Sequence, residues 1–449
     1  MDHDDAAARA DGLCRLRPGR HRVGLHRAGG GGGGMKILYF NPDRGVPVLG
    51  DKGASVHVRS FVTAAARLGH EVVLACTTAG SGNPPPPGRL IELPARTDDA
   101  RLRAEAMVRG LPGTAIDDPV VRRELARLAH DRAVRLALIA QLRRIGFQPD
   151  LVYERHALFS RAGVRIATHF GVPRLLEVNA PLIEEQARFR DLRLIDVARR
   201  AQAASYRRAN VVIAVSEAVA QHVAGVRGNA AHVHVLPNGA DLSRYRAGGD
   251  GAALRARLGI GAAPVIGFIG SFKPWHGVDF LFDVFAALAR SRPDARLIAV
   301  GDGPDLAALR ARAEQLDCAG RIILPGRVPH DDIADWLAVM DVTVAPYHDQ
   351  QDFYFSPLKI VESLAAGRPV VAPGIGQIAS LIAPEVTGIL YPPGDAAACE
   401  AALHRLIDQP ARRLRMGEAA RRAAAVWDWT AVVARALALA PLRQRELVQ

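Results

Sequence analysis

From Met35 onward, short apolar runs alternate with longer segments whose apolar residues recur at helical spacing. Residues 35–40 predict a buried strand, residues 54–68 a helix, and residues 71–76 a second strand, which together make a βαβ unit. Further strands are predicted at residues 149–153, 171–178, 211–215, 233–236, 264–269, 295–300, 321–324, 341–346 and 369–372. These runs read as continuously apolar, the pattern of parallel strands covered on both faces. Helices are predicted at residues 101–144, 278–289 and 411–440, and after Ser216 as an N-cap. Another starts at the turn Ser356-Pro357, carries Leu358, Val361, Leu364 and Ala365 at helical spacing, and closes at Gly367. The fold class is therefore α/β, with two doubly wound Rossmann-like domains facing an interdomain cleft. The expected division is residues 35–246, a linker to 261, residues 262–425, and a last helical segment, residues 426–449.

Residues 1–34 are polar, rich in Arg, His and Asp, end in a glycine run and lack amphipathic period, which predicts a disordered tail or an upstream mis-start before Met35. Composition narrows the partners. A chain of 449 residues with 49% hydrophobic residues supports two cores, and the net charge of +12 admits acidic partners such as nucleotide phosphate or anionic lipid. It shows no aromatic-studded basic repeat or zinc-finger spacing, so nucleic acid is not expected. Cys14, Cys76, Cys318 and Cys399 have neither metal-ligand nor disulfide spacing, and Asp349 and Asp352 do not form an Asp-x-Asp pair, so no metal and no cofactor are expected. With no apolar run of about 18 residues, the expected location is cytoplasmic. The Arg-rich segment 101–144 could rest on the inner face of a membrane as a peripheral contact, or simply face solvent.

Candidate chemistry collects at strand ends, where open α/β sheets bind ligands. The start of the 358–365 helix presents free amides and a dipole, with Lys359 in its first turn, which suits a phosphate. Glu362 lies one turn on, where a carboxylate could hold a diol. Gly53 and Ala54 open the first helix, where small residues would let backbone approach a phosphate or sugar, although a sharp strand-to-helix turn needs them equally. Glu177 and Asn179 stand at the exit of the 171–178 strand, candidates for gripping acceptor or donor hydroxyls. Ser271, Lys273 and His276 follow the 264–269 strand, positioned to neutralise a leaving diphosphate. His276 needs its charge for that role, and a neutral imidazole is the ordinary state at pH 7. Gly301 and Gly303 lie in a Gly-Asp-Gly-Pro turn that would let a base approach backbone, although a plain strand-to-helix turn needs them equally.

The motifs Gly-His-Glu-Val (69–72), Pro-Asn-Gly-Ala-Asp (237–241), Gly-Asp-Gly-Pro (301–304), Phe-Ser-Pro-Leu-Lys-x-x-Glu (355–362) and Gly-Arg-Pro-Val-Val-Ala (367–372) occur in the order found in family 4 retaining glycosyltransferases of the GT-B fold. The chain resembles that family from Met35 to its end. The resemblance implies that Glu362 is the second Glu of the family's Glu-x7-Glu and binds the nucleotide ribose. The first Glu falls at Tyr354, so the chain resembles a subgroup with the Phe-Ser-Pro-Leu-Lys pattern, and Asp349 or Asp352 could replace the missing acid in contacting the sugar. Ser271 and His276 stand where the family has Arg and Lys. The resemblance further implies that amides around Ser356, Pro357, Leu358 and Lys359 hold the diphosphate, with Lys273 and His276 as the cationic clamp and Gly53 and Ala54 facing the donor diphosphate and the acceptor. It also implies that the last segment, with Trp427-Asp428-Trp429, crosses back onto the first domain. Lys359 contacts phosphate or forms a salt bridge. The implied function is retaining transfer of a sugar from a nucleotide-diphosphate donor to a glycan, lipid-linked or small-molecule acceptor, in cell-surface polysaccharide or glycoconjugate synthesis. A GT-B nucleotide-sugar epimerase and a catalytically silent binding or scaffold protein are the alternatives.

Overall fold

The computed structural model describes residues 34–95, 98–246, 251–348, 353–354 and 356–441. The tail expected before Met35, the linker residues 247–250, and Asp349, Asp352 and Phe355 lie outside the described residues, apart from Gly34.

Two parallel sheets account for the predicted alternation. The first contains β1 (Lys36–Asn41), β2 (Glu71–Cys76), β3 (Arg89–Glu92), β4 (Leu151–Arg155), β5 (Arg174–Val178), β6 (Val211–Ala214) and β7 (Val233–Val235), in the order β3-β2-β1-β4-β5-β6-β7. The second contains β8 (Val265–Ile269), β9 (Arg296–Val300), β10 (Ile322–Gly326), β11 (Val342–Val344), β12 (Val370–Pro373) and β13 (Gly388–Tyr391), in the order β10-β9-β8-β11-β12-β13. Strand order reverses between β1 and β4 in the first sheet and between β8 and β11 in the second. A crevice opens at the carboxyl end of each such reversal, because successive connections leave toward opposite faces. The site residues sit at these ends.

The single helix expected over 101–144 is instead two, Asp99–Val108 and Pro119–Arg144, with a 3-10 turn at Gly113–Asp117 between them. The break has a local cause. Pro112 and Pro119 bring no N–H to a helical ladder, and Asp118 accepts from Val120 N and Val121 N to cap the second helix. Leu125, Leu128 and Leu142 of the longer helix are buried, whereas Leu136 is exposed. None of the described helices is long and apolar enough to cross a membrane.

The last segment does return to the first sheet. Trp427–Trp429 pairs with the Pro237–Asp241 turn: Ala240 N donates to Trp427 O at 2.9 Å, and Trp429 N donates to Ala240 O at 3.2 Å. Asp428 then caps the helix Trp429–Ala438, whose Trp429, Val432, Val433, Ala436 and Leu437 join the first-sheet core. Trp429 meets the His57 ring edge-on at 4.7 Å, and a Cβ on Gly239 would stand 2.9 Å from its indole. Trp429→Ala should therefore cost about 3–5 kcal/mol of folding free energy by cavity formation. A urea titration showing a loss below about 1 kcal/mol would show that this helix is not a structural strap.

Candidate donor and acceptor cleft

On the second-sheet side, the loops after β8 and β9 press on each other. Phe272 N donates to Asp302 O at 2.9 Å, and Gly270 N donates to Val300 O at 3.0 Å. A Cβ on Gly301 would lie 1.8 Å from the Gly270 carbonyl oxygen, and one on Gly303 would lie 2.2 Å from the Phe272 carbonyl oxygen. Both glycines are thus required by loop-on-loop packing, whether or not a base approaches them.

The Leu358–Ala365 helix begins at Pro357 with no side-chain cap, so its first-turn amides have no carboxylate or hydroxyl of their own. Its Lys359 stem is half-buried, but the Nζ is buried and has no hydrogen-bond partner. That ammonium lies 4.3 Å above the Phe268 ring and 4.8 Å above the Tyr347 ring. A Cβ on Gly270 would come within 2.6 Å of it, so glycine at this position, with φ +154°, leaves room for the lysine. Burial lowers the Lys359 pKa to about 7, with the Glu362 charge acting in the opposite sense. No ion pair within salt-bridge distance forms between Lys359 and Glu362 among the described residues; Glu362 instead lies near the buried Tyr245, whose hydroxyl pKa is raised by burial first and then by the Glu362 charge.

His276 does not fit the cationic role expected of it. Its Nδ1–H donates to the Ser271 carbonyl oxygen, and its ring stands edge-on to Tyr347 at 5.2 Å. Burial, then the Lys359 and Lys273 charges, push its pKa down to about 3 despite that bond, so the imidazole is neutral at pH 7. The physical reason is burial first, to which the charge of the neighbouring Lys359 adds. Ser271 serves as the acceptor that fixes the His276 tautomer. Lys273 is exposed and rests over the Trp275 ring at 5.0 Å, and Trp275 in turn meets Phe189 of the first-sheet side at 5.9 Å.

Three hydrogen bonds stitch the segment around this helix to the ends of β6 and β7. Ser216 Oγ donates to Tyr354 O at 2.8 Å, Asn238 N donates to Ser356 Oγ at 3.2 Å, and Gln377 Nε2 donates to Val215 O at 2.5 Å. Tyr354, at the place of the missing Glu, packs against Val and Leu residues of the first sheet, its hydroxyl 3.4 Å from Glu185 Oε2.

Glu177 needs correction as a ligand grip. It is buried and already accepts from Tyr153 Oη (2.8 Å), Arg155 Nη1 (2.8 Å) and Asn179 Nδ2 (2.5 Å), with His57 Nε2 2.9 Å away. Burial raises its pKa, but His57, Arg155 and Asn179 outweigh that and hold it well below the usual carboxylate range. These partners lock Glu177 into the floor of the first domain, while the half-buried Asn179 gives it one N–H of its amide.

Between the two sheet ends lies a cleft of about 650 Å³. Ser271 and Lys273 line it on one side, and Gly53 and Ala54 on the other. A Cβ on Gly53 would meet nothing within 4 Å, so the open space there belongs to the cleft. Sequence reasoning missed the basic side chains on the first-sheet wall: Arg44, Lys52, Arg127 and Arg190. Arg127, His130 and Asp131 share one helix at spacings that place them on one face, the one available signal. A larger cleft of about 940 Å³ opens beside the Gly53–Arg67 helix, between Arg59 and His330, with Arg327 and Asp51 paired across it at 3.4 Å. It includes none of Ser271, Lys273, Gly53 or Ala54, so the smaller cleft is the candidate site.

Two Rossmann-like sheets with switch-point loops facing one cleft define a two-domain GT-B architecture. The Anabaena protein HepE, solved in complex with UDP, superposes with a TM-score of 0.64 at 19% identity, covering 90% of this chain and 98% of that one. The family described as Glycosyltransferase Family 4 matches residues 52–244, and that described as Glycosyl transferases group 1 matches residues 263–409. A D-inositol 3-phosphate glycosyltransferase from Kineococcus radiotolerans is 30% identical over 414 residues, 86% of this chain and 89% of that protein. One of the same description from Segniliparus rotundus is 30% identical over 204 residues; that match spans only 44% of the relative's length. The chain belongs to the family 4, group 1 glycosyltransferases.

The unpaired Lys359 ammonium yields a stability prediction. A lysine with a depressed folded pKa binds fewer protons folded than unfolded, so stability should rise with pH from about 7 toward the ordinary lysine range. Lys359→Met should flatten that rise and stabilise the ligand-free protein by about 1–3 kcal/mol near pH 7. Thermal melts of the two proteins across pH check this; a destabilised variant would mean that Lys359 has a partner in the folded state.

Proposed function

We propose that the protein moves a sugar from a nucleotide-diphosphate sugar to an acceptor hydroxyl with retention at the anomeric carbon. The observation that carries this reading is the uncapped start of the Leu358–Ala365 helix with a buried, unpaired ammonium beside it. Amides and cation together form a receptor for a diphosphate, and among the described residues no carboxylate or hydroxyl caps the helix start or bonds the ammonium. Family membership supports the transfer chemistry. HepE, crystallised with UDP, supports a nucleotide donor, and GDP-mannose-dependent mannosyltransferases among the relatives leave the base open.

In this reading the Leu358 and Lys359 amides and the Lys359 ammonium hold the diphosphate, while Lys273 meets charge that grows as the sugar–phosphate bond breaks. The acceptor oxygen forms its bond to the anomeric carbon on the face the diphosphate leaves. The departing phosphate oxygen takes the acceptor's proton, so atoms and charge balance without a protein base. Glu362, one turn further along the helix, offers its carboxylate oxygens to the ribose diol. His276, neutral, holds the Ser271 turn in shape. The stitches to Tyr354 and Ser356 link the two walls, so closure around donor would exclude water.

A thermal-shift screen against UDP, GDP, ADP and TDP tests the reading, since a ligand that binds only the folded state raises the melting temperature. One nucleotide should give a clear shift, and its sugars should then support transfer; no shift with any would sink the proposal. Glu362→Ala should weaken that nucleotide by about 1.5–3 kcal/mol, the usual worth of a hydrogen bond to a charged group. Lys273→Ala should lower turnover more than nucleotide affinity.

Lys359 also sets a pH dependence. Below about pH 7 its ammonium is already charged, whereas above it binding must bring in a proton. Nucleotide affinity should therefore fall as pH rises above about 7, by up to about tenfold per unit. Calorimetry at pH 8 in buffers of different ionisation enthalpy should show proton uptake, and its absence would remove Lys359 from the diphosphate.

A further inference from the structure

The cleft is rich in hydrogen-bond donors and poor in acceptors. Arg44, Lys52, Arg127, Arg190 and Lys273 line it, against three carboxylates, Asp43, Asp131 and Glu185. Sugar hydroxyls can accept from any of those donors, so the few acceptors decide how a sugar ring is oriented. Two of the three carboxylates are engaged in holding the chain itself. Asp131 Oδ1 accepts from Arg161 N and Ala162 N, both at 2.8 Å, and from Ser160 Oγ at 3.2 Å. Asp43 Oδ1 accepts from Gly45 N at 2.8 Å, which closes its own turn.

Glu185 is different. It is half-buried on the Leu182–Phe189 helix. Its one side-chain hydrogen bond among the described residues is a long one, 3.4 Å from Tyr354 Oη to Glu185 Oε2. Arg188, one turn on, rests over the Phe189 ring at 5.3 Å and forms no ion pair with Glu185. Both carboxylate oxygens therefore keep acceptor capacity. Burial, and then the Glu185 charge, raise the Tyr354 hydroxyl pKa, so that hydroxyl stays a donor. A first-turn acid also steadies a helix start, but the exposed Glu184 of the same turn can do so without lining the cleft.

Placement adds the second observation. Tyr354 stands just ahead of the uncapped Leu358–Ala365 helix, and Ser216 Oγ holds its carbonyl at 2.8 Å. Glu185 thus reaches from the first-sheet wall to the segment that leads into the diphosphate receptor. A group hanging from a diphosphate at that helix start projects into the space this carboxylate faces.

We propose that Glu185 selects the donor sugar: its carboxylate accepts hydrogen bonds from hydroxyls of the sugar on the nucleotide diphosphate, and the Tyr354 hydroxyl holds it in position. The proposal rests on the donor reading above, because the diphosphate locates the sugar. Glu185 is the residue that touches the sugar, and Tyr354 is a positioning residue that acts through it.

The test uses the full chain, whichever of UDP, GDP, ADP and TDP shifts its melting temperature, and the glucose, galactose and mannose conjugates of that nucleotide. Calorimetry then gives the affinity for the free nucleotide and for each conjugate. Glu185→Ala should weaken the tightest conjugate by about tenfold or more and leave the free nucleotide within about twofold. Tyr354→Phe keeps the ring and removes only the hydroxyl; it should weaken the conjugate by about threefold, and add nothing in the Glu185→Ala background. Where Glu185→Ala fails to fold, Glu185→Gln, close in shape and uncharged, carries the same comparison. A Glu185 variant that binds the conjugate as the parent does, or that loses nucleotide and conjugate by the same factor, overturns the proposal. Loss in Glu185→Ala with none in Tyr354→Phe overturns the positioning role of Tyr354. A parent protein that binds none of the four nucleotides overturns the donor reading, a result distinct from nucleotide binding with unchanged sugar discrimination, which overturns this proposal alone.

Discussion

An ammonium held out of water without a partner is the constraint around which the second domain is arranged. Lys359 Nζ is buried against the Phe268 and Tyr347 rings, whose faces offer a weak attraction that does not replace a hydrogen bond. Its presence dictates its neighbours. Gly270 has no side chain because one would collide with Nζ, and the glycines of the next loop are then needed to bring Gly301 and Gly303 against Gly270 and Phe272. His276 is driven neutral by burial and by the same charge, which turns it from a clamp into a strut on the Ser271 carbonyl. Binding sites tolerate such a cost because the missing partner is the ligand.

That arrangement works only if the segment carrying it is fixed relative to the other wall. The fixing is done by backbone. Tyr354 O and Val215 O each receive a side-chain donor from the opposite side, and Ser356 Oγ receives the Asn238 amide. Asn238 belongs to the turn that also pairs with Trp427–Trp429, so one short stretch meets both the donor-side loop and the returning helix. A shift of the Trp429–Ala438 helix would therefore reach the cleft through the 237–240 turn. Mechanical coupling of this kind is built from few contacts, which leaves the walls able to part.

How much of this was legible in the sequence follows from range. The inner strands of both sheets were readable because buried parallel strands are short apolar runs, whereas the short edge strands β3 and β13 were not predicted; Ser216 was readable as a cap because capping is local. The donor helix was readable for the same reason: amides, Lys359 and Glu362 are within five residues of one another. The misplaced residues fail at longer range. Nothing near Glu177 in the chain announces that His57, 120 residues earlier, lies against it. His276 looked cationic because the residue depressing it, Lys359, is remote in sequence. The basic patch was missed because Arg44, Arg127 and Arg190 come from three separate segments, and in an Arg-rich chain each alone resembles surface charge.

The two walls differ in how they hold charge, and the difference has a physical reason. Every donor in the proposed reading presents the same diphosphate, so one rigid receptor of amides and a desolvated cation serves, and a low-dielectric setting makes that cation count most as charge grows. The opposite wall carries long, exposed or half-exposed arginines on loops and a helix face, where side chains can re-aim without disturbing a strand. Charge on such side chains is screened and individually weak. A buried Nη1 on Arg127 is the exception among them, set deeper than the exposed Arg44 and Arg190.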